Sequence, residues 1–366
     1  MKNSLLERYA EQLPEGLADC QTSLGEGDTR LIELVHLPKR HKVDLKIYAK
    51  FEGTNPTGSF KDRGMVAAIA QARRQGARAV ICASTGNTSA AAAAYAARAD
   101  LACHVLLPAG KIATGKMAQA IAHGANIVAL RGNFDDAMAA VRRFASNAVA
   151  VVNSINPFRI HGQKTIAFEV IEQLGKVPDI HALPVGNAGN ITAHWIGYSE
   201  AAGIETAANY VFAGDWQAKS AAWTAKRPVM IGAQAAGAAP FIAGSPISDP
   251  ETVATAIRIG NPQSWDGAQA AISESAGRIL PVTDEELLNV QYALASEEGI
   301  FCEPASSAGL AAVLAEAKAG RIEAGLTVVC TLTGNGMKDP QALASRAKTV
   351  EVEATEAQIA KALGLD

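Results

Sequence analysis

The chain has 366 residues and a formal net charge of −3, with both signs dispersed along it. That length builds one large domain or two of ordinary size, and the charge balance argues against nucleic acid or an anionic membrane as partner. No apolar run reaches the length of a membrane span, and the start, Met1-Lys2-Asn3-Ser4-Leu5-Leu6-Glu7-Arg8, carries acid early and lacks an apolar signal core.

The first strong element is a helix near 60–75, approached through Gly53-Thr54-Asn55-Pro56-Thr57-Gly58-Ser59-Phe60-Lys61-Asp62-Arg63. Ser59 is placed to N-cap it and Asp62 to complete an approximate capping box, while Met65, Val66 and Ile69 begin its apolar stripe. Lys61 then falls in the first turn. The positive end of the helix dipole disfavours an ammonium there and lowers its pKa. A lysine held partly neutral is a nucleophile that can form a Schiff base with an aldehyde. Taken alone, the position also suits an ordinary surface lysine.

A strand at 79–83 leads into Ser84-Thr85-Gly86-Asn87-Thr88 and a helix over 87–99. The hydroxyls, the amide and the free N–H groups of that helix start can hold a carboxylate, or simply cap the turn. Strands at 102–107, 126–130 and 149–152 alternate with helices near 112–123 and 134–147. The segment Asn153-Ser154-Ile155-Asn156-Pro157-Phe158-Arg159-Ile160-His161-Gly162-Gln163-Lys164-Thr165 then gathers hydroxyl, amide and guanidinium donors where a helix over 160–174 begins. Arg159 offers a bidentate fork for a phosphate, or a solvated side chain on a capped helix.

The strand 180–185 runs into Gly186-Asn187-Ala188-Gly189-Asn190 and a helix over 190–203. Successive N–H groups in such a glycine-rich turn form a nest at a positive helix end, suited to a cofactor phosphate, although a turn without ligand has the same composition. A strand at 229–233, helices over 284–298 and 305–319 and a strand at 327–332 follow, the last ending in Thr331-Leu332-Thr333-Gly334-Asn335-Gly336. A hydroxyl beyond that strand end can contact a bound ring. The tail 354–365 reads as one short helix, with no appended regulatory domain.

Near-continuous apolar strands alternating with helices predict an α/β fold with mainly parallel sheets flanked by helices, and ligands at the loops that follow the strands. No low-complexity linker divides the chain, so two intertwined lobes are expected. Several signatures are absent. In a P-loop the lysine follows the second glycine directly, whereas Ser59 and Phe60 intervene here, and no G-x-G-x-x-G occurs. Histidines and cysteines lack metal-ligand spacing, so no metal is expected. Cys20, Cys82, Cys103, Cys302 and Cys330 contain no C-x-x-C pair and mostly lie in apolar runs, which predicts a reduced cytoplasm.

Together these motifs resemble the threonine synthases within the fold-type-II pyridoxal-phosphate enzymes, the group that is similar to tryptophan synthase β. The resemblance runs from Ser23-Leu24-Gly25-Glu26-Gly27-Asp28-Thr29 to Gly336 and departs at Arg30, where relatives often have proline. It implies a lobe over 51–154 that carries the Schiff-base lysine and the substrate-carboxylate loop. A larger lobe of 1–50 and 155–366 would carry the cofactor-phosphate loop. It further implies that Lys61 holds pyridoxal 5'-phosphate, that Asn87 hydrogen-bonds its ring hydroxyl oxygen, and that Gly186, Asn187, Ala188, Gly189 and Asn190 cradle its phosphate. Thr333 is expected at the pyridine nitrogen. Ser84, Thr85, Asn87 and Thr88 are expected around the substrate carboxylate. Lys116, Asn153, Ser154 and Arg159 are expected at the substrate phosphate, with Thr88 shared.

The implied reaction converts O-phospho-L-homoserine and water to L-threonine and inorganic phosphate by γ-elimination and β-addition, in a homodimer. The nearest rival is a pyridoxal-phosphate-dependent threonine or serine dehydratase, which has no need of a second phosphate site. A phosphate- or nucleotide-binding protein without this cofactor, recognisable as a colourless protein, is a rival of another class. A non-catalytic relative is disfavoured because each chemical position is present.

Overall fold

The computed structural model describes residues 4–18, 21–109, 114–132, 134–154, 156–212, 222–346 and 349–365, without the side chains of 114–116, 134–135 and 344–346. Among these described residues ten strands form two sheets. They are β1 (Leu31–Glu33), β2 (Lys46–Phe51), β3 (Ala79–Ala83), β4 (Ala102–Pro108), β5 (Asn126–Leu130), β6 (Val149–Val151), β7 (Ile180–Pro184), β8 (Val229–Ala235), β9 (Arg278–Val282) and β10 (Thr327–Leu332). One sheet has the order β1-β2-β10-β7-β8-β9, the other β5-β4-β3-β6. Every neighbouring pair is parallel except β1 on β2, where Leu31 lies opposite Lys50.

The strand order places the site. In the four-stranded sheet the chain moves outward from β3 through β4 to β5, then returns to the other side of β3 as β6. The loops after β3 and β6 therefore flank a topological switch point, the crevice where open α/β sheets bind ligands. The six-stranded sheet has a second switch point between β7 and β10, flanked by the loops Gly186–Ala188 and Thr333–Asn335. All four loops are the ones whose composition suggested binding.

The strands β3, β7 and β10 are buried along their whole length, as expected for parallel strands covered on both faces. Among the described elements three strands and one of the longer helices lack a sequence signal, as do the four-residue helices Leu5–Arg8, Leu37–Arg40 and Pro240–Ala243. β2 reads Lys-Ile-Tyr-Ala-Lys-Phe, and its lysines interrupt the apolar run. β9 contains Pro281, which the edge of a sheet tolerates. β1 has only three residues, and the helix Trp265–Glu274 has a glycine within it.

The helix Lys61–Arg74 crosses the helix Pro157–Leu174 at very close range. A Cβ at Gly162 would stand 1.9 Å from the carbonyl oxygen of Arg63, and one at Gly64 would stand 2.8 Å from that of Arg159. The two glycines thus fix how near Lys61 and Arg159 come to one another. A buried ionic cluster locks the same crossing. Arg63 donates to Glu52 (Nε to Oε2, 2.7 Å) and to Glu169 (Nη2 to Oε2, 2.6 Å), and Lys50 donates to Glu169 at 2.8 Å. Breaking such a fully buried pair costs about 3–5 kcal/mol, because the remaining charge is left without a partner.

Candidate active site

Lys61 is the first residue of its helix, as the sequence predicts, but its cap differs from the expectation. Phe60 is the N-cap and supplies no side-chain bond, while Ser59 Oγ accepts weakly from Lys61 N at 3.4 Å. Asp62 does not close a capping box: it turns back and accepts from the backbone N–H of Thr57 at 2.6 Å and from the Thr57 hydroxyl. The proline-glycine approach is therefore held by Asp62, which leaves the helix start open. The Lys61 ammonium lies 4.1 Å from the centre of the Phe60 ring. Burial, and then the Arg159 guanidinium, lower its pKa to about 7, with Glu303 opposing the shift. The helix dipole invoked from sequence is not the leading cause.

The turn after β7 forms a nest. Ala188 adopts the left-handed conformation (φ 64°) and caps the helix Gly189–Ala202 without a side-chain bond, so the first N–H groups of that helix face the cavity. Asn190 is buried, and among the described residues neither its Nδ2 nor its Oδ1 has a hydrogen-bond partner. An unsatisfied buried amide beside a nest of N–H groups fits an absent anion. With a near-neutral lysine in the same cavity, these donors fit a cofactor that carries both an aldehyde and a phosphate.

Asn87 opens the helix Asn87–Arg98 and reaches across the cavity. Its Nδ2 donates to Glu303 Oε1 at 3.1 Å and Oε2 at 3.0 Å. The Thr333 hydroxyl donates to Glu303 Oε1 at 3.4 Å and lies 3.0 Å from Ser306 Oγ. Burial raises the Glu303 pKa above the usual carboxylate range. Ser84 Oγ accepts from Gly86 N at 3.2 Å, which shapes the loop, and Thr85 and Thr88 line the cavity beside it.

Arg159 is 2% exposed and, among the described residues, faces no carboxylate. Its Nη1 donates to the carbonyl of Val152 at 3.3 Å, and its Nε has no partner. Burial lowers its pKa to about 10. A buried guanidinium with unused donors can hold an anion. Asn153 is less available: its amide pairs with the backbone of Ala83, accepting from N and donating to O, both at 3.0 Å. One N–H of that amide remains. Ser154 lines the cavity, and Asn156, not a predicted ligand, caps the Arg159 helix by accepting from Phe158 N at 2.9 Å. Lys116 lies on the helix Thr114–Ala122, and its side chain falls outside the described residues.

One cavity of about 1380 Å³ is lined by Lys61, Ser84, Thr85, Asn87, Thr88, Asn153, Ser154, Arg159, all of Gly186–Asn190 and Thr333. Residues 22–334 match the family model of pyridoxal-phosphate dependent enzymes. The threonine synthase of Synechocystis sp. is 51% identical over 92% of this chain and 83% of that protein. The threonine synthase of Bacillus sp. ULM1 is 50% identical over 93% of this chain and 91% of that protein.

The chain belongs to the threonine synthase family.

Membership extends to an archaeal threonine synthase, from Methanosarcina acetivorans, at 47% identity over 91% of this chain and 80% of that protein. Threonine synthases use pyridoxal phosphate, which the nest, the unpartnered Asn190 amide and Lys61 fit. Solved structures at about 20% identity share the fold alone. Processed threonine deaminase isoform 2 from Solanum lycopersicum has a TM-score of 0.72 at 19% identity, over 92% of this chain and 86% of that one. Cysteine synthase from Entamoeba histolytica has a TM-score of 0.69 at 20% identity, over 92% of this chain and 93% of that one.

The structure adds cavity residues that the sequence reading missed. Glu303 and Lys338 reach it from turns that carry no motif. The Lys338 ammonium donates to Gln119, and its pKa is lowered by burial. The segment 246–263 supplies much of one wall. Its signal was composition alone, the prolines Pro246, Pro250 and Pro262 that mark an irregular loop.

Proposed function

We propose that this threonine synthase family member converts O-phospho-L-homoserine and water to L-threonine and inorganic phosphate. The observation that carries the reading is the pairing of two anion sites in one cavity. The nest at Gly186–Asn190 suits the cofactor phosphate, and the carboxylate-free guanidinium of Arg159 suits a second phosphate on the substrate. A dehydratase acting on serine or threonine needs only the first.

Bound pyridoxal phosphate supplies an electron sink that acidifies the substrate Cα and Cβ protons. Lys61 provides the base. With a pKa near 7 its amine is substantially neutral at neutral pH, so it can take a proton and return it. Asn87 and Thr333 would orient the ring by its hydroxyl oxygen and its nitrogen. A threonine hydroxyl enforces ring protonation less strongly than a carboxylate would. Ser84, Thr85 and Thr88, with the N–H groups of the Asn87 helix, would hold the substrate carboxylate. Arg159 would pair two phosphate oxygens, with Ser154, the free N–H of Asn153 and Lys116 as neighbours. It stabilises the charge that develops as the Cγ–O bond breaks. Water then adds its oxygen to Cβ, and Cγ gains a proton.

The four-stranded sheet and the six-stranded sheet each contribute one switch point to the cavity. We read residues 51–154 as one lobe and 1–50 with 155–366 as the other, able to close on substrate and exclude bulk water. Among the described residues Cys82, Cys103, Cys302 and Cys330 are free and buried, and no helix is long and apolar enough to cross a membrane. These observations support a reducing cytoplasmic setting. A homodimer is the expected assembly and is tested by light scattering at micromolar concentration. The function is tested by supplying O-phospho-L-homoserine and measuring phosphate and threonine together. Equal molar yields support the reading, and 2-oxobutanoate with ammonia as the main products would replace it with the dehydratase.

A further inference from the structure

Glu303 is a buried carboxyl group to which neither the cofactor site nor the substrate site assigns a role. It is 4% exposed and sits on the cavity wall. Its hydrogen bonds run to two neutral side chains from distant parts of the chain, Asn87 and Thr333. Both are the residues read here as the ring contacts of the cofactor.

The carboxyl group is itself held firmly. Glu303 N donates to the carbonyl of Gly334 at 3.0 Å, and Gly334 N donates to Ser306 Oγ at 2.9 Å. The side chain then lies flat over Gly334, where a Cβ would come within 2.5 Å of Glu303 Oε1. No larger residue fits at 334 without displacing the carboxyl group.

We propose that Glu303 is a positioning residue for the cofactor ring, acting through Asn87. A carboxyl oxygen accepts from the Asn87 amide, so the Nδ2 end must face Glu303 and cannot flip. Nδ2 lies 3.1 Å from Oε1 and 3.0 Å from Oε2, so one N–H shared between the two oxygens serves both and leaves the other to donate to the ring hydroxyl oxygen. One group on the large sheet side thereby fixes the donor offered to one edge of the ring. It also joins the Asn87 helix to the end of β10. The inference rests on the reading of Asn87 as a ring contact.

The test is a double-mutant cycle read on cofactor binding, with no turnover involved. Apoprotein of the wild type, Glu303→Ala, Asn87→Ala and the double variant is titrated with pyridoxal phosphate, and affinity and visible absorption maximum are recorded. Removing an oriented hydrogen bond predicts about tenfold weaker binding and a displaced band for each single variant. If Glu303 acts through Asn87, the double variant is weaker than the worse single one by no more than about twofold. Wild-type affinity and spectrum in Glu303→Ala, beside a weakened Asn87→Ala, would overturn the positioning role alone. So would effects that multiply in the double variant. Unchanged binding in Asn87→Ala would instead remove the ring contact on which the inference stands.

Should Glu303→Ala fail to fold by circular dichroism, Asn87→Asp and its combination with Glu303→Gln replace it. The carboxylate introduced at 87 repels Glu303, and the amide introduced at 303 can donate to it. Recovery of at least about tenfold in affinity by the second substitution is expected, and no recovery would overturn the proposal.

Discussion

The backbone N–H of Phe60 donates to the carbonyl of Thr333 at 3.0 Å, which ties the residue before Lys61 to the residue just past β10. Two further contacts extend the seam: Ser59 bridges Gly334, and Asn335 N donates to the Gly58 carbonyl at 2.9 Å. The amine proposed to react and the hydroxyl proposed to face the ring are therefore positioned by one short antiparallel contact. Lys61 itself need make no structural bond, which leaves it free to react.

Lys61→Ala should abolish turnover and leave the fold intact. The Gly186–Asn190 nest should still hold pyridoxal phosphate, now without a covalent link. Borohydride treatment followed by peptide mapping should label Lys61 in the wild type and nothing in the variant. Label on another lysine would reassign the site.

Arg159→Ala should reduce kcat/KM for O-phospho-L-homoserine by about 2–5 kcal/mol, the cost of removing one partner of a buried charge pair. Arg159→Lys should recover only part, since an ammonium lacks the planar fork. Cofactor content should be unchanged, and inorganic phosphate should inhibit the alanine variant less. Wild-type kcat/KM in Arg159→Ala would remove the substrate-phosphate assignment.

The lowered pKa of Lys61 predicts how apoprotein recombines with pyridoxal phosphate. Only the neutral amine attacks the aldehyde, so the rate should rise with pH and level off above about 7. A rise centred near the ordinary lysine value of about 10.4 would show that burial does not act on this amine. Arg159→Ala removes a neighbouring positive charge and should move the midpoint upward.

Glu169→Ala should destabilise the protein by about 3–5 kcal/mol, because Arg63 and Lys50 lose their shared carboxylate. The Arg63 guanidinium, with Lys50, outweighs burial and holds the Glu169 carboxyl well below the usual range. A depressed native pKa stabilises the fold fully above the unfolded value, about 4.3. That contribution is lost as pH falls through the native value. The difference in melting temperature between wild type and Glu169→Ala should thus narrow on acidification below pH 4. A constant difference would place the stabilisation outside the ion pair.

Much of the fold was legible because parallel strands buried on both faces leave unbroken apolar runs. β3 and β10 begin and end where those runs do, and β5 keeps its predicted bounds although it is an edge strand and largely exposed. β2 was hidden because Lys50, read from sequence as polar, is buried and neutralised by Glu169, a residue remote in the chain. The strand-end loops were legible as donor-rich turns, and the structure brings them to one cavity. Glu303 was not, since an isolated carboxylate in a proline-containing turn resembles any solvated loop until the fold sets Asn87 against it. The helix cap at Ser59 was misread for a related reason: Asp62 makes its bond within the preceding turn, with Thr57, and not at the helix start.

The central claim is that the Cγ–O bond of a phosphorylated substrate breaks and that water enters at Cβ. Running the reaction of the pyridoxal-phosphate-loaded protein with O-phospho-L-homoserine in 18O-water tests both at once by mass spectrometry. The account predicts one 18O in the side-chain hydroxyl of threonine and none in the phosphate released. Label in the phosphate, with homoserine as the organic product, would show cleavage of the P–O bond and contradict it.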